Sequence, residues 1–170
     1  RIESTSEPAG PPSAPQSAAA QEGLSLTTAA LPRLLLVDDE PAIIEGIVRR
    51  FRREYEFFSA HDGVQALKVL EQHGEMDIII TDMRMPVMDG ATLLAQVASL
   101  YPDMVRILLT GHTDLTAAID AVNEGNIFRF LVKPCPSEVL REQLKAALRQ
   151  HELIVSERVL LEQTLRGAVQ

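Results

Sequence analysis

The sequence predicts an α/β fold in which five parallel strands form one sheet with helices on both of its faces. Short apolar or alternating runs recur along the chain, and helix-length stretches with apolar residues at helical spacing lie between them. The run Leu34–Val37 shows no polar alternation, which is typical of a strand buried on both faces. Strands that alternate with helices indicate a doubly wound parallel sheet.

The expected architecture is a (βα)5 unit over residues 33–150. We expect the strand order 2-1-3-4-5, which is common in doubly wound sheets, and a C-terminal helix that extends beyond the unit. The predicted strands are Leu34–Val37, Tyr55–Ser59, Asp77–Thr81, Val105–Leu109 and Ile127–Val132.

Residues at the expected helix ends agree with this pattern. Pro41 suits a first helical turn, and Asp62 and Thr113 are predicted N-caps. Gly74 and Gly125 stand where helices are expected to stop.

Residues 1–32 differ from the rest in composition. They hold five of the ten prolines and no aromatic residue. A segment of this kind buries too little apolar surface to offset its ordering entropy, so we expect a flexible tail or linker. Because the chain begins at Arg1 rather than methionine, we interpret it as a fragment or a processed chain.

A long helix is predicted after Ser137, because the helical pattern meets no glycine or proline before Gly167. Residues 151–170 would form a helical connector beyond the domain. Its apolar side chains need a cover, and we expect a second copy of the helix, which makes a homodimer through a coiled coil. The side chains concerned are Leu153, Ile154, Leu160 and Leu161.

Composition limits the class of protein. The chain has 170 residues, of which 46% are hydrophobic, and a net charge of −8, which argues against nucleic acid or an anionic membrane as the main partner. No apolar run approaches the roughly 18 residues of a membrane helix, and no secretory signal pattern is present. The single cysteine, Cys135, excludes an internal disulfide, so we expect a cytoplasmic setting.

The candidate functional residues follow from topology. Ligands of doubly wound sheets bind at the carboxyl ends of the strands. In the order 2-1-3-4-5, strands 1, 3, 4 and 5 are neighbours, so the residues that follow them converge on one edge. These are three carboxylates, one hydroxyl and one ammonium: Asp38, Asp39, Asp82, Thr110 and Lys133.

The chemistry of this set indicates phosphoryl transfer. Three neighbouring carboxylates repel one another unless one is protonated or a cation lies among them, and oxygen ligands favour Mg²⁺. A carboxylate can accept a phosphoryl group as an acyl phosphate. The metal, the lysine and the hydroxyl would neutralise or bind the phosphoryl oxygens.

Four ordered motifs surround these residues: Leu35–Glu40, Ile80–Gly90, Leu108–Gly111 and Phe130–Pro134. Over residues 33–150 they resemble the receiver domains of two-component response regulators, which have a flavodoxin-like fold. The resemblance implies a signalling switch rather than a conventional enzyme, with self-catalysed phosphoryl transfer and autodephosphorylation.

The resemblance also implies the role of each matching residue. Asp82 would be phosphorylated by a histidine kinase, while Asp38, Asp39, Asp82 and the backbone carbonyl of Arg84 would hold Mg²⁺. Lys133 and Thr110 would contact the phosphoryl group.

Further roles concern the switch and the access of water. The resemblance implies that Thr110 and the aromatic Phe130 change position on activation, and that the Lys133–Pro134 bond is cis. Arg84 and His112 flank the expected site, so we expect them to line the approach of water.

The segment Gly125–Cys135 further resembles receivers joined to HD-type phosphohydrolase output domains.

Two alternatives remain open. One is an unphosphorylated pseudo-receiver scaffold, against which the intact set of site residues argues. The other is an aspartyl-phosphate phosphatase of the haloacid-dehalogenase type, which carries an aspartate at the position of Arg84.

Overall fold

Five parallel strands form a single sheet in the computed structural model, which describes residues 30–168. The strand order is β2-β1-β3-β4-β5, so the predicted fold class and topology are confirmed. Most of the expected N-terminal tail lies outside the described residues. The strands are β1 (Arg33–Val37), β2 (Glu56–Ala60), β3 (Ile78–Asp82), β4 (Val105–Thr110) and β5 (Arg129–Val132).

One helix follows each strand. Within residues 30–168, none of these helices is long and apolar enough to span a membrane. A short 3-10 turn, His112–Asp114, precedes the fourth helix. The helices are α1 (Pro41–Phe51), α2 (Gly63–His73), α3 (Gly90–Leu100), α4 (Leu115–Asn123) and α5 (Ser137–Ala168).

The core consists of two clusters, one on each face of the sheet. Alternate side chains of one strand enter different clusters: Leu35 packs with α2, α3 and α4, whereas Leu34 and Leu36 pack with α1 and α5. Both clusters are apolar, which explains why β1 shows no polar alternation in the sequence.

The predicted helix ends are correct in four places and wrong in one. Pro41 begins α1, the Asp62 side chain accepts from the Gln65 N–H at 2.7 Å, and Gly74 and Gly125 have φ angles of 82° and 79°. Thr113 is not an N-cap. It lies inside the 3-10 turn, because the chain forms that tighter turn before α4 begins at Leu115.

The long helix α5 packs on the domain further than the sequence suggested. Ile154 packs against the cluster beneath α1 and α5, and Arg158 pairs with Asp103 at 2.7 Å. The expectation that Ile154 needs an external cover is therefore wrong, since the helix follows the sheet face past residue 150. Leu153, Leu160 and Leu161 are exposed, as is Leu165.

A glycine allows the start of α3 to pass directly behind Asp82. A Cβ atom at Gly90 would lie 2.1 Å from the backbone oxygen of Asp82 and 2.8 Å from Cδ1 of Leu108. Both distances are far below a van der Waals contact, so no side chain fits at this position. The close approach fixes the backbone that presents Asp82.

We expect Gly90→Ala to destabilise the domain by about 2–4 kcal/mol, because the added methyl group must displace either β3 or α3. Urea unfolding measures the change. Gly46→Ala is the matched control, since nothing lies within 4 Å of a Cβ built at this position inside α1. The control should gain about 0.5–1 kcal/mol. Equal effects of the two substitutions would contradict the packing argument.

Candidate functional site

The candidate site lies at the carboxyl edge of the sheet, where four neighbouring strands end. Asp82 and Thr110 are the last residues of β3 and β4, while Asp38 and Lys133 directly follow β1 and β5. The parallel register pairs Val37 with Thr81 and Thr110 with Val132. The strands therefore end at one level and bring the predicted residues together.

Lys133 joins two of the carboxylates. Its Nζ lies 3.1 Å from Oδ2 of Asp38 and 3.2 Å from Oδ1 of Asp82. Asp38 is 3% exposed and Asp82 is 9% exposed. One ammonium thus pairs with two buried carboxylates at the ends of different strands and offsets one of their two negative charges.

The surroundings raise the pKa of both Asp82 and Lys133. Burial raises the pKa of the Asp82 carboxyl, and the charge of Asp38 adds to this, although Lys133 opposes it. Desolvation lowers the pKa of Lys133, but the hydrogen bond and charge of Asp38, together with Asp82, outweigh it and raise the pKa. The surroundings therefore favour the protonated, charged form of Lys133, and the ionised form of Asp82 is less stable here than in water.

A cation fits beside these carboxylates. Oxygen atoms of Asp38, Asp39 and Asp82 lie within 4.8 Å of one another. The backbone N–H of Glu40 donates to Oδ1 of Asp38 at 2.9 Å, which fixes the orientation of that carboxylate. Asp39 is exposed, so the cluster opens to solvent on one side. Oxygen-only ligands that keep a solvent side match the preference of Mg²⁺.

Thr110 and Phe130 lie on the β4 and β5 side of this edge. Thr110 is fully buried, and its hydroxyl donates to the backbone oxygen of Gly111 at 3.2 Å. Phe130 is half-buried against the cluster beneath α2, α3 and α4. The Lys133 N–H donates to the Thr110 carbonyl at 2.8 Å, and the Lys133–Pro134 bond is cis, as expected.

Arg84 and His112 lie on the two loops next to Asp82 and Thr110, and both are exposed. Nε of Arg84 lies 2.8 Å and 3.1 Å from the two oxygens of Asp114, while His112 begins the 3-10 turn. The sequence alone did not mark Asp114 as a site residue. A negative residue directly before α4 was the available signal, but it is also what an ordinary helix cap looks like.

A sequence profile described as the response regulator receiver domain matches residues 34–145. The chain belongs to this family. The predicted family is therefore confirmed, and neither the scaffold nor the phosphatase alternative is favoured. A receiver domain is a signalling domain.

The chain is similar to a transcriptional regulatory protein and to the receiver domain of an HD domain-containing protein. The transcriptional regulatory protein GlrR of Escherichia coli (strain K12) is 36% identical over 126 residues, which are 74% of this chain and 28% of that protein. The receiver domain of an HD domain-containing protein from Pseudomonas fluorescens Pf-5 is 38% identical, with a TM-score of 0.69, and the match covers 77% and 94% of the two chains.

A third match is a structure named adenylate cyclase from Rhodopirellula baltica. It is 35% identical with a TM-score of 0.75, and the match covers 78% of this chain and 98% of that one. The chain spans about a quarter of the length of the first curated relatives it matches.

We expect Asp82→Asn to stabilise the receiver domain at neutral pH. Because burial raises the pKa of Asp82, the folded state binds more protons than the unfolded state between the two pKa values, and the parent loses stability as the pH rises through this window. The variant lacks this titration. Its gain in unfolding free energy should therefore shrink as the pH falls to about 4, near the pKa of an unfolded aspartate.

Urea unfolding at about pH 7, 5 and 4 measures this gain. Asp120→Asn, which removes an exposed carboxylate from α4, is the matched control for the loss of one negative charge. A gain that is the same at all three pH values would show that the charge of Asp82 does not oppose folding.

Proposed function

We propose that this receiver domain accepts a phosphoryl group on Asp82 and acts as a phosphorylation-dependent switch. The observation that carries the proposal is the contact of Lys133 with both Asp38 and Asp82 beside a cluster of three carboxylates. A nucleophilic carboxylate, a fixed cation and oxygen ligands for a metal then lie at one opening. Phosphoryl transfer depends mainly on such positioning and neutralisation of charge.

The proposed reaction starts from the Asp82 carboxylate. One of its oxygens attacks the phosphorus atom of a phosphohistidine in a histidine kinase, the P–N bond breaks, and the imidazole leaves with the electron pair and takes up a proton. The product is an acyl phosphate on Asp82. Lys133 already lies 3.2 Å from this carboxylate and is placed to pair with a phosphoryl oxygen.

The proposed magnesium ligands are carboxylate oxygens of Asp38, Asp39 and Asp82 and the backbone carbonyl of Arg84. Mg²⁺ supplies positive charge against the phosphoryl oxygens when it is bound. Lys133 contributes a second positive charge. We therefore expect transfer to Asp82 to require the metal, with the domain itself catalysing both this transfer and the later hydrolysis.

The proposed switch uses Thr110 and Phe130. The hydroxyl of Thr110 now donates to the backbone oxygen of Gly111, and rotation of the side chain would offer it to a phosphoryl oxygen instead. Space left by this movement would admit the half-buried Phe130 ring. Because phenylalanine has no hydroxyl, packing alone would hold the inward state. Arg84 and His112 would tune the access of attacking water.

The proposed partners are a histidine kinase and an output domain, in the cytoplasm. For the output we retain an HD-type phosphohydrolase, supported by the receiver from Pseudomonas fluorescens. The similar domain named adenylate cyclase makes a cyclase the competing output. In this proposal residues 33–150 form the receiver and residues 151–170 the connector. The full-length gene sequence identifies the output domain.

Acetyl phosphate should label the parent only when Mg²⁺ is present, and hydroxylamine should remove the label. Asp82→Asn keeps the size of the side chain but removes the nucleophile, so no label is expected. Lys133→Met should label roughly 100-fold more slowly, because a fixed charge on the phosphoryl oxygens is lost. Intact-mass spectrometry over time measures the labelled fraction.

Asp120→Asn is the control for the loss of a carboxylate and should label at the parental rate. If Asp82→Asn were labelled as well as the parent, the proposed phosphorylation site would be wrong. Labelling of the parent after chelation of Mg²⁺ would contradict the proposed use of the metal.

We also propose a homodimer through the exposed end of α5. Leu160, Leu161 and Leu165 are each more than half exposed, and they follow the point where Arg158 makes its contact with Asp103. A parallel pair of helices would bury them, and each fully buried leucine contributes about 1.5–3 kcal/mol. Since Ile154 packs on the domain, the paired segment would be short and the dimer weak.

Sedimentation should show a dimer for the parent at ~100 μM, a concentration that corresponds to about 5–6 kcal/mol of association. The double substitution Leu161→Gln and Leu165→Gln removes apolar contact area and should yield monomers. A control with Val64→Gln changes an exposed apolar residue on α2 and should remain dimeric. A monomeric parent at this concentration would rule out the dimer.

A further inference from the structure

The loops that follow β3 and β4 are joined by an ion pair. Nε of Arg84 lies 2.8 Å and 3.1 Å from the two carboxylate oxygens of Asp114, and a terminal nitrogen of Arg84 donates to the Thr113 hydroxyl at 3.4 Å. The Arg84 side chain is 73% exposed, whereas that of Asp114 is 16% exposed. The pair therefore joins the loop after Asp82 to the loop after Thr110, with the arginine on the solvent side.

The side chain of Asp114 does not cap α4, although Asp114 occupies the N-cap position of that helix. It directly precedes α4, yet its side chain makes no hydrogen bond to the first turn of that helix. Asp62 and Asp89 occupy the same position before α2 and α3, and each accepts a hydrogen bond from a backbone N–H at 2.7 Å. Asp114 pairs with Arg84 instead, and the amino end of α4 lacks its side-chain cap.

A more strongly charged anion can displace Asp114 from Arg84. An ion pair with so exposed an arginine is weak, because water competes for the guanidinium. A phosphoryl group offers more negative charge and three acceptor oxygens, and the guanidinium fork matches such oxygens well. Arg84 lies only two residues beyond Asp82, where our proposed function places that group.

We propose that Arg84 exchanges partners on phosphorylation, leaving Asp114 for the phosphoryl oxygens, and that the released Asp114 then caps α4. The inference rests on phosphorylation of Asp82. In this account Asp114 is a positioning residue that competes for Arg84 in the resting state. The exchange connects the chemistry at β3 to the amino end of α4 through two side chains.

A static clamp would behave differently. If the pair only held the two loops together over the site, loss of either partner would open the site and change the acyl-phosphate lifetime in the same direction. In a partner exchange, loss of Asp114 frees Arg84 for the phosphoryl group, whereas loss of Arg84 removes the contact. The two substitutions then have opposite effects.

The experiment compares Arg84→Gln, Asp114→Asn and the double variant in the complete chain. Each is labelled with acetyl phosphate and Mg²⁺, and the half-life of the acyl phosphate is then measured. Asp114→Asn should lengthen the half-life about two- to fivefold. Arg84→Gln should shorten it about threefold or more, and the double variant should match Arg84→Gln, because Asp114 acts only through Arg84. Both substitutions leave the Arg84 backbone carbonyl in place.

Asp103→Asn is the matched control. Its pair with Arg158 has similar exposure, at 51% and 15% for the two side chains, but Asp103 lies before β4, at the opposite edge of the sheet. The half-life should be unchanged. Changes in the same direction for Arg84→Gln and Asp114→Asn would overturn the exchange while the labelling itself supports Asp82. A parent that takes no label overturns both proposals.

Hydrogen exchange tests the second half of the inference. Beryllium trifluoride serves as a phosphoryl mimic on the same proteins. The amides of Thr116 and Ala117, the second and third residues of α4, should exchange more slowly in the parent when the mimic is bound. Arg84→Gln and Asp114→Ala should not show this slowing. Equal slowing in Asp114→Ala would show that Asp114 does not cap α4.

Discussion

The contact of one lysine with two buried carboxylates is the constraint on which the carboxyl edge of this domain depends. Lys133 follows β5, while Asp38 follows β1 and Asp82 ends β3, so the ammonium bridges the ends of strands that are not adjacent to its own. Without it, two nearly dry carboxylates would face one another with no countercharge. The same arrangement leaves Asp82 with a raised pKa, so the group proposed to react is one that the fold stabilises poorly as an anion.

The two faces of the sheet give this edge different neighbours. The α1 and α5 face continues from Lys133 into the long helix, because α5 begins only four residues later at Ser137. The other face carries the cluster that receives Phe130 and lies against α4. In the proposed switch, a change at Asp82 has two structural routes outward, one through the β5 end into α5 and one through the loop of Thr110 and Asp114 into α4.

The sequence predicted the fold and the approximate site because both depend on local pattern. Apolar runs identify β1 and β3 wherever they pack, and topology alone brings Asp38, Asp82 and Lys133 together. It did not predict contacts that depend on where long side chains come to rest. Asp114 has the position of an ordinary cap, and only the structure shows Arg84 occupying it. Ile154 and Arg158 lie past the expected domain edge, and the sequence contains no measure of how far the sheet face reaches.

Because α5 is one continuous helix, the direction in which its exposed leucines point is fixed relative to the rest of the domain. The part of α5 up to Ile154 packs on the sheet through Leu140, Leu144 and Ile154, and no break separates this part from the exposed leucines near its end. Each residue of an α-helix turns the chain by about 100° and advances it by about 1.5 Å. One residue inserted after Arg158 would therefore rotate the leucine stripe by more than a quarter turn relative to the site, whereas seven would nearly restore its direction. The number of residues in this helix therefore sets the direction of the leucine stripe, just as its composition sets which side chains form the stripe.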